Sequence, residues 1–123
     1  MDYARALDER LLEFASSILF LTDKMPKTLT GRRISDQLIR SGTSVGANYE
    51  EVTGSESRAD FVHKMRIAFK EIRETCYWLR LIERSRLLTT DIVGPVLTES
   101  LEIRSMLGKS LTTAKRGMET VER

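Results

Sequence analysis

Basic residues recur in the middle of the sequence at a spacing that suits one face of a helix. Six residues follow alternating intervals of four and three: Arg66, Lys70, Arg73, Tyr77, Arg80 and Arg84. These positions share a face over about five turns, and like charges four residues apart repel each other. A line of cations that includes an aromatic ring suits a phosphate backbone, with Tyr77 able to stack on a base. This basic stripe therefore predicts a nucleic-acid-binding face.

An ordinary solvated surface is the alternative interpretation of the basic stripe. Glu71, Glu74 and Glu83 are interleaved with it and are able to neutralise its charge. Residues 1–23 carry two Arg against five Asp or Glu, a net charge of −3, so an adjacent first helix would have the same effect. Both interpretations stay open from the sequence alone.

A second basic patch is expected where the second helix begins. Arg32 and Arg33 lie in its first turns, and Lys24 and Lys27 precede them. Cations at a helix start oppose the helix dipole, so these arginines do not serve helix stability. We predict Arg32 and Arg33 as further nucleic-acid contacts, with plain surface charge as the alternative.

Four polar residues are predicted to have a structural role. Ser44, Asn48 and Glu51 share a face of the second helix, and Glu74 lies on the third. Buried polar groups must find partners, so we expect these side chains to hydrogen-bond between the two helices and fix their register. A ligand site or a catalytic carboxylate is the weaker alternative.

The sequence offers little for catalysis or metal binding. His63 is the only histidine and Cys76 the only cysteine. One chain therefore lacks the several ligands of a His- or Cys-based metal site, and it has no internal disulfide. No glycine-rich phosphate loop follows a strand. We predict a protein that is not an enzyme and that needs no metal or cofactor.

Apolar residues at helical spacing predict four helices, at about 3–25, 30–53, 57–85 and 89–116. Pro26, the turn cluster 53–57 and the pair Gly94–Pro95 mark their limits. Short connections between long helices favour an all-α, antiparallel up-down-up-down four-helix bundle, with residues 1–123 as one domain.

Three details of these helices remain to be tested against the structure. The small residues 41–47 predict either a continuous helix in close contact with another, or a loop. In the first helix Leu12, Ala15 and Leu19 are expected to widen the buried stripe. In the fourth, Pro95 predicts a late start or a kink, and the pair Arg116–Gly117 predicts the end.

The composition is that of a cytoplasmic protein. No apolar run approaches the roughly 18–20 residues that span a bilayer. The first residues have no charged head followed by an apolar segment, so no secretory signal is expected.

The junction of the second and third helices resembles a known family. The resemblance is carried by Gln37, Arg40, Ser44, Val45, Asn48, Glu51, Phe61, Ala68 and Glu74. These residues are similar to those of the bacterial four-helix-bundle family of 23S rRNA intervening-sequence proteins, over about residues 11–114. Gly46 and Val52 depart from its pattern, which has proline and glycine there.

The resemblance implies a bundle that assembles with itself. The family is related to accessory proteins of diversity-generating retroelements, which are basic homopentamers that bind nucleic acid and a reverse transcriptase. We therefore expect a homo-oligomer, a pentamer by resemblance, that binds RNA or DNA or a reverse transcriptase complex and contacts no membrane. A protein-interaction module that binds no nucleic acid is the alternative.

Apolar residues outside the buried stripe of the third helix favour self-association independently of the family. They are Ile67, Phe69, Tyr77, Trp78 and Leu81. A helix that is apolar on more than one face usually needs a second packing partner. A wider core within one bundle is the alternative.

Overall fold

The computed structural model describes the backbone of residues 3–122 and the side chains of residues 5–118. This part of the chain forms four helices and no strand: α1 (Tyr3–Thr22), α2 (Leu29–Val52), α3 (Arg58–Arg84) and α4 (Thr90–Glu122). The all-α four-helix fold predicted from the sequence is confirmed.

Side-chain caps fix the starts of α2 and α3. The Thr28 hydroxyl accepts a hydrogen bond from the Gly31 N–H at 3.1 Å. The Ser57 hydroxyl accepts one from the Asp60 N–H at 3.0 Å, and the Asp60 carboxylate accepts one from the Glu56 N–H. Each cap satisfies an amide that the helix itself leaves without a partner, so these helices begin where the sequence supplies a hydroxyl.

Helices that follow each other in the chain pack side by side. Contacts join α1 to α2, α2 to α3, α3 to α4, and α4 back to α1. Within residues 3–122, the backbones of α1 and α3 do not approach each other closely, and neither do those of α2 and α4. The four helices therefore form a ring in chain order, with α1 and α3 on one diagonal.

Neighbouring helices run in opposite directions. Leu11 of α1 lies against Gly46 of α2, and Ile18, one step further along α1, lies against Gly42. Residue numbers therefore rise along α1 as they fall along α2. Five- or six-residue connections are too short to return along helices of 20 or more residues, so the same reversal holds for each successive pair.

The inner faces of the helices share one hydrophobic core. Its largest fully buried side chains are Leu11, Phe14, Ile18, Leu38, Val45, Met65, Ile72, Leu79, Ile82, Val93, Ile103 and Leu107. Nearly all of these positions belong to the predicted 3.6-residue pattern, because a helix buries every third or fourth residue against its neighbours.

The small residues of α2 are part of a continuous helix, as predicted. They allow α1 to approach closely: a Cβ atom at Gly42 would lie only 2.8 Å from Cγ1 of the buried Ile18. Gly42 is therefore required by the packing of α1 against α2, since any larger residue forces one helix away from the other.

Two expectations for α1 and α4 were wrong. Leu12 and Leu19 do not widen the buried stripe, since their side chains are 66% and 47% exposed. Helix α4 continues to Glu122, past the predicted end at 116, and Pro95 lies inside it as the sixth residue. Pro95 has no N–H to donate to the preceding turn, and the long apolar face of α4 keeps the segment helical despite this loss.

The polar residues of α2 also differ from expectation. The Ser44 hydroxyl donates to the Arg40 carbonyl, and the Asn48 amide donates to the Ser44 carbonyl at 2.8 Å, so these bonds stay inside α2. Glu51 is exposed. A different pair crosses to α3: the Thr75 hydroxyl donates to Ser41 Oγ at 3.0 Å, with both residues fully buried.

Candidate nucleic-acid interface

The basic stripe lies on the solvent side of α3. All six of its residues are exposed, and the Tyr77 ring is 57% exposed. Helix α1 lies diagonally opposite, and its backbone does not approach that of α3 closely in the described part of the chain. The acidic first helix therefore does not lie beside the stripe to neutralise it.

Two of the three glutamates interleaved with the stripe have another partner. Arg40 of α2 forms an ion pair with Glu71 at 3.2 Å and a closer one with Glu74. Glu74 also accepts a hydrogen bond from the Trp78 indole at 3.3 Å. Arg40 therefore takes up the negative charge on this side of α3, and Glu74 is linked to α2 through this ion pair.

A groove between α3 and α4 continues the positive surface. It consists of two recesses, of about 890 and about 240 Å³, that share Leu101 and Arg104. The cations of the larger recess come from both helices: Arg73, Arg104, Lys109, Lys115 and Arg116. Among the residues whose side chains the structure describes, no acidic residue lines this larger recess, which we call the basic groove.

The floor of the basic groove is an aromatic ring. Phe69 lies across α4 at Gly108, where a Cβ atom would be 3.2 Å from the ring carbon Cε2. The Arg73 guanidinium lies over the same ring, 5.8 Å from its centroid. Since cations are attracted to the face of an aromatic ring, Phe69 holds Arg73 at the mouth of the groove.

Most of the groove cations have no acidic partner. Among the residues that the structure describes, Arg73, Arg104, Lys109 and Lys115 form no ion pair, whereas Arg10, Arg40 and Lys64 do. Unpaired cations on a concave surface raise the local positive potential, because low-dielectric walls focus the field. The groove is thus suited to an extended polyanion.

The contribution of α4 to this surface was missed in the sequence. Residues 87–123 carry five basic and five acidic residues, so their net charge is zero. The spacing of the basic residues could have revealed this face. Arg104 and Lys115 are eleven residues apart, which is about three helical turns, so they share one face of α4. In α4 the charge is sorted by face, with Glu99 and Glu102 turned towards Arg10 of α1.

The other predicted basic patch lies elsewhere. Arg32 and Arg33 are exposed in the first turns of α2, and neither lines the basic groove. The structure therefore does not bring the two basic regions into one site.

The described residues contain neither a metal site nor a membrane span. No group of three or more His, Cys, Asp or Glu side chains there is placed to hold a metal ion. None of the described helices is long and apolar enough to cross a membrane.

Comparison with known proteins identifies the family. The model of the 23S rRNA-intervening sequence protein family matches residues 8–109. The chain belongs to this family. The resemblance inferred from the residues around Ser44 and Asn48 is thereby confirmed.

A solved structure of a relative supports the fold of this family member. The crystal structure of a protein with unknown function from the S23 ribosomal protein family of Bacteroides thetaiotaomicron is 36% identical in sequence. The match covers 85% of this chain and 96% of the relative, with a TM-score of 0.75. Neither description names a catalytic activity. No curated protein matches the sequence significantly.

Proposed function

We propose that this chain is a non-enzymatic, homo-oligomeric bundle that binds RNA or DNA through the basic groove between α3 and α4. The observation that carries the proposal is the set of five cations around the larger recess, with no acidic residue among its described lining residues. Phosphates are the ligands that such a surface favours, because each bound phosphate releases condensed counterions.

Binding of this kind depends on the backbone and not on the base sequence. The cations project from two rigid helices, and phosphate contacts position a nucleic acid without reading its bases. We therefore expect strongly salt-dependent binding with little sequence preference.

Self-association should strengthen the binding of nucleic acid. In a homopentamer, the state that the family resemblance implies, the groove occurs five times and the fields of the copies add. A strand that contacts several copies dissociates more slowly than from one copy, because each further contact is intramolecular. A ribonucleoprotein such as a reverse transcriptase complex is the proposed partner of this surface.

A pair of double variants tests the groove. Arg73→Ala/Arg104→Ala removes two groove cations, and Arg32→Ala/Arg33→Ala removes two exposed cations outside it. Binding of fluorescent single-stranded and duplex RNA and DNA is measured by anisotropy over a salt series. For a single strand, we expect the groove variant to lower the slope of log K against log salt by about 1.4, at about 0.7 per phosphate contact, and the second variant to change it less.

Two outcomes contradict the proposal. One is the absence of binding to any RNA or DNA at low salt. The other is an equal loss of affinity in the two double variants, which means that overall charge and not the groove determines binding.

A protein-interaction module is the second candidate, because exposed leucines on α1 offer an apolar surface. In that case nucleic-acid binding is absent. Changes at Arg66, Lys70 and Arg73 then abolish recovery of a protein partner instead.

A further inference from the structure

A second groove, between α1 and α2, has an apolar surface. Its volume is about 430 Å³, and Leu12, Ala15, Gly46 and Ala47 are among its lining residues. Leu12 is 66% exposed, and Leu19, two turns further along α1, is 47% exposed. Positions 12, 15 and 19 share one side of α1, so an apolar strip faces solvent along this groove.

Two carboxyl groups close one end of this strip. Asp8 of α1 and Glu50 of α2 both line the groove, and no lysine or arginine is among its described lining residues. A hydrogen bond with the Asp8 carboxylate, together with its charge, raises the pKa of Glu50. Two ionised carboxylates this close repel each other, so a cation from outside is favoured beside them.

Helix α3 of the same chain carries a surface that is also partly apolar but has the opposite charge. Tyr77 and Leu81 line a shallow recess there together with Arg80 and Arg84. The Tyr77 ring stands 57% exposed, which leaves it free to enter an apolar groove. An aromatic side chain flanked by arginines is the type of group that most often dominates a protein interface.

We propose that the α1–α2 groove of one copy binds the Tyr77–Leu81 surface of a second copy, with Arg80 or Arg84 beside Asp8 and Glu50. Apolar surface then meets apolar surface and cations meet carboxylates, so the two patches are complementary in both respects. In a single chain they cannot meet, because α1 and α3 lie on one diagonal of the described bundle and their outer faces point away from each other.

The contact has a consequence for symmetry. Its two halves are different patches of one chain, so each copy uses one patch for each of two neighbours. The two patches lie on different sides of the bundle, one between α1 and α2 and the other on α3, so a single partner does not engage both. A contact of this type generates a closed ring or an open filament and not a two-fold dimer. It rests on the proposed self-association and gives that assembly its surface.

The contact also divides the basic stripe between two roles. Tyr77, Arg80 and Arg84 belong to the interface between copies. Arg66, Lys70 and Arg73 stay outside that interface, and Arg73 lines the basic groove of each copy. Nucleic acid and a second copy therefore bind adjacent surfaces of α3 without competing for Arg73.

Molar mass in solution tests the proposal with a matched pair of variants. Leu12→Lys places a charge in the α1–α2 groove, and Leu29→Lys places one on an equally exposed leucine, also 66% exposed, outside it. By light scattering we expect the unaltered chain at a multiple of 14.1 kDa, Leu12→Lys at the monomer mass, and Leu29→Lys unchanged. Both side chains are exposed, so circular dichroism should show the same helix content in all three proteins.

A charge exchange tests the pairing itself. Glu50→Arg should reduce the assembled fraction at least tenfold, and the combination Glu50→Arg/Arg80→Glu should restore most of it, because opposite charges face each other again.

The outcomes separate this inference from the proposed function. A monomeric unaltered chain overturns both the self-association and this surface, whether or not nucleic acid binds. If the unaltered chain assembles and Leu12→Lys has the same molar mass, the self-association stands and only the α1–α2 groove is ruled out as its interface. If Leu12→Lys dissociates the assembly but the charge exchange restores nothing, the contribution of Arg80 is wrong.

Discussion

The α1–α2 groove and the α3–α4 groove both lie between antiparallel neighbours of one bundle, yet their side chains differ in kind. The first is lined by leucine, alanine and glycine, with Asp8 and Glu50 at one end. The second is lined by cations around Phe69. Both pairs of helices bury their inner faces in the same core, so the residues at the edges of each helix pair are free to differ. These edge residues can therefore give the two grooves different functions.

The two pairs of helices also pack differently at their closest approach. Gly42 brings the backbone of α2 against Ile18, which is fully buried. Gly108 instead faces the half-buried Phe69 ring, whose edge is able to move. The α1–α2 contact is thus rigid, whereas the α3–α4 contact has an adaptable aromatic floor below its cations.

The remaining two pairs of helices are linked by ion pairs. Arg40 joins α2 to Glu71 and Glu74 of α3, and Arg10 joins α1 to Glu99 and Glu102 of α4. These arginines neutralise carboxylates that would otherwise weaken the positive field of α3 and α4. The ion pairs therefore stabilise the fold and also keep the α3–α4 groove more positive than the α1–α2 groove.

The largest expected effect comes from a methyl group in the rigid contact. In Gly42→Ala the new Cβ lies 2.8 Å from Ile18 Cγ1, so the helices must separate. We expect a loss of about 2 kcal/mol in the free energy of unfolding, measured by urea denaturation followed by circular dichroism.

Gly46→Ala is the matched control one turn away. Its Cβ would lie 3.4 Å from Leu11 Cβ, which is an ordinary contact. The gain in helix propensity then raises the stability by up to about 1 kcal/mol. Equal effects of the two substitutions would mean that the α1–α2 contact is no tighter at Gly42 than elsewhere.

The sequence predicted well which residues of the helices lie in the core. Leu11, Ile18 and Ile72 lie in the core because apolar periodicity reports which face a helix buries. The same periodicity failed for Leu12 and Leu19, since it cannot tell a wider core from an apolar surface. Exposure there depends on where α2 lies, and that is a property of the packed bundle.

The candidate site was predictable only on the helix whose charges form an uninterrupted pattern. Arg66 to Arg84 are visible as a stripe because α3 is strongly basic, whereas Arg104 and Lys115 lie in a segment without net charge. The pairing of Arg40 with Glu71 and Glu74 joins residues 31 and 34 positions apart, so no local pattern reveals it. The groove is created by tertiary packing and not by one helix.

Arg40→Met should have the second largest effect. Loss of a partly exposed ion pair with two carboxylates lowers the stability by about 0.5–1 kcal/mol. It also leaves Glu71 and Glu74 unneutralised beside the basic stripe, so we expect RNA affinity at low salt to fall about threefold. Both quantities are measured on the same protein, by urea denaturation and by anisotropy.

A charge-retaining variant serves as the control for Arg40. Arg40→Lys keeps the positive charge and loses the two-pronged guanidinium geometry. It should retain the RNA affinity and lose part of the stability. An unchanged RNA affinity in Arg40→Met would show that Glu71 and Glu74 do not influence the groove.

Gly108→Ala tests the adaptable floor of the α3–α4 groove. The new Cβ would lie 3.2 Å from Phe69 Cε2, and the ring is able to move by a few tenths of an ångström. The gain in helix propensity of about 1 kcal/mol offsets the crowding, so the stability should change by less than about 0.5 kcal/mol. A loss as large as that of Gly42→Ala would contradict the difference between the two contacts.

The smallest effect is expected from acid, at the contact between α1 and α4. Arg10 donates to Glu99 at 2.6 and 2.8 Å, and this hydrogen bonding, with its charge, lowers the pKa of Glu99 below the usual value of 4.5. The folded chain thus binds a proton at Glu99 less readily than the unfolded chain, so the stabilisation is complete above pH 4.5 and is lost as the pH falls through the lowered pKa. Glu99→Gln should be less stable than the unaltered chain by a few tenths of a kcal/mol at pH 7, and the difference should shrink between pH 4.5 and pH 3.

Other carboxylates such as Asp60 titrate in both proteins and cancel in the difference. A difference that stays constant from pH 7 to pH 3 would assign the effect of Glu99 to packing and not to its charge.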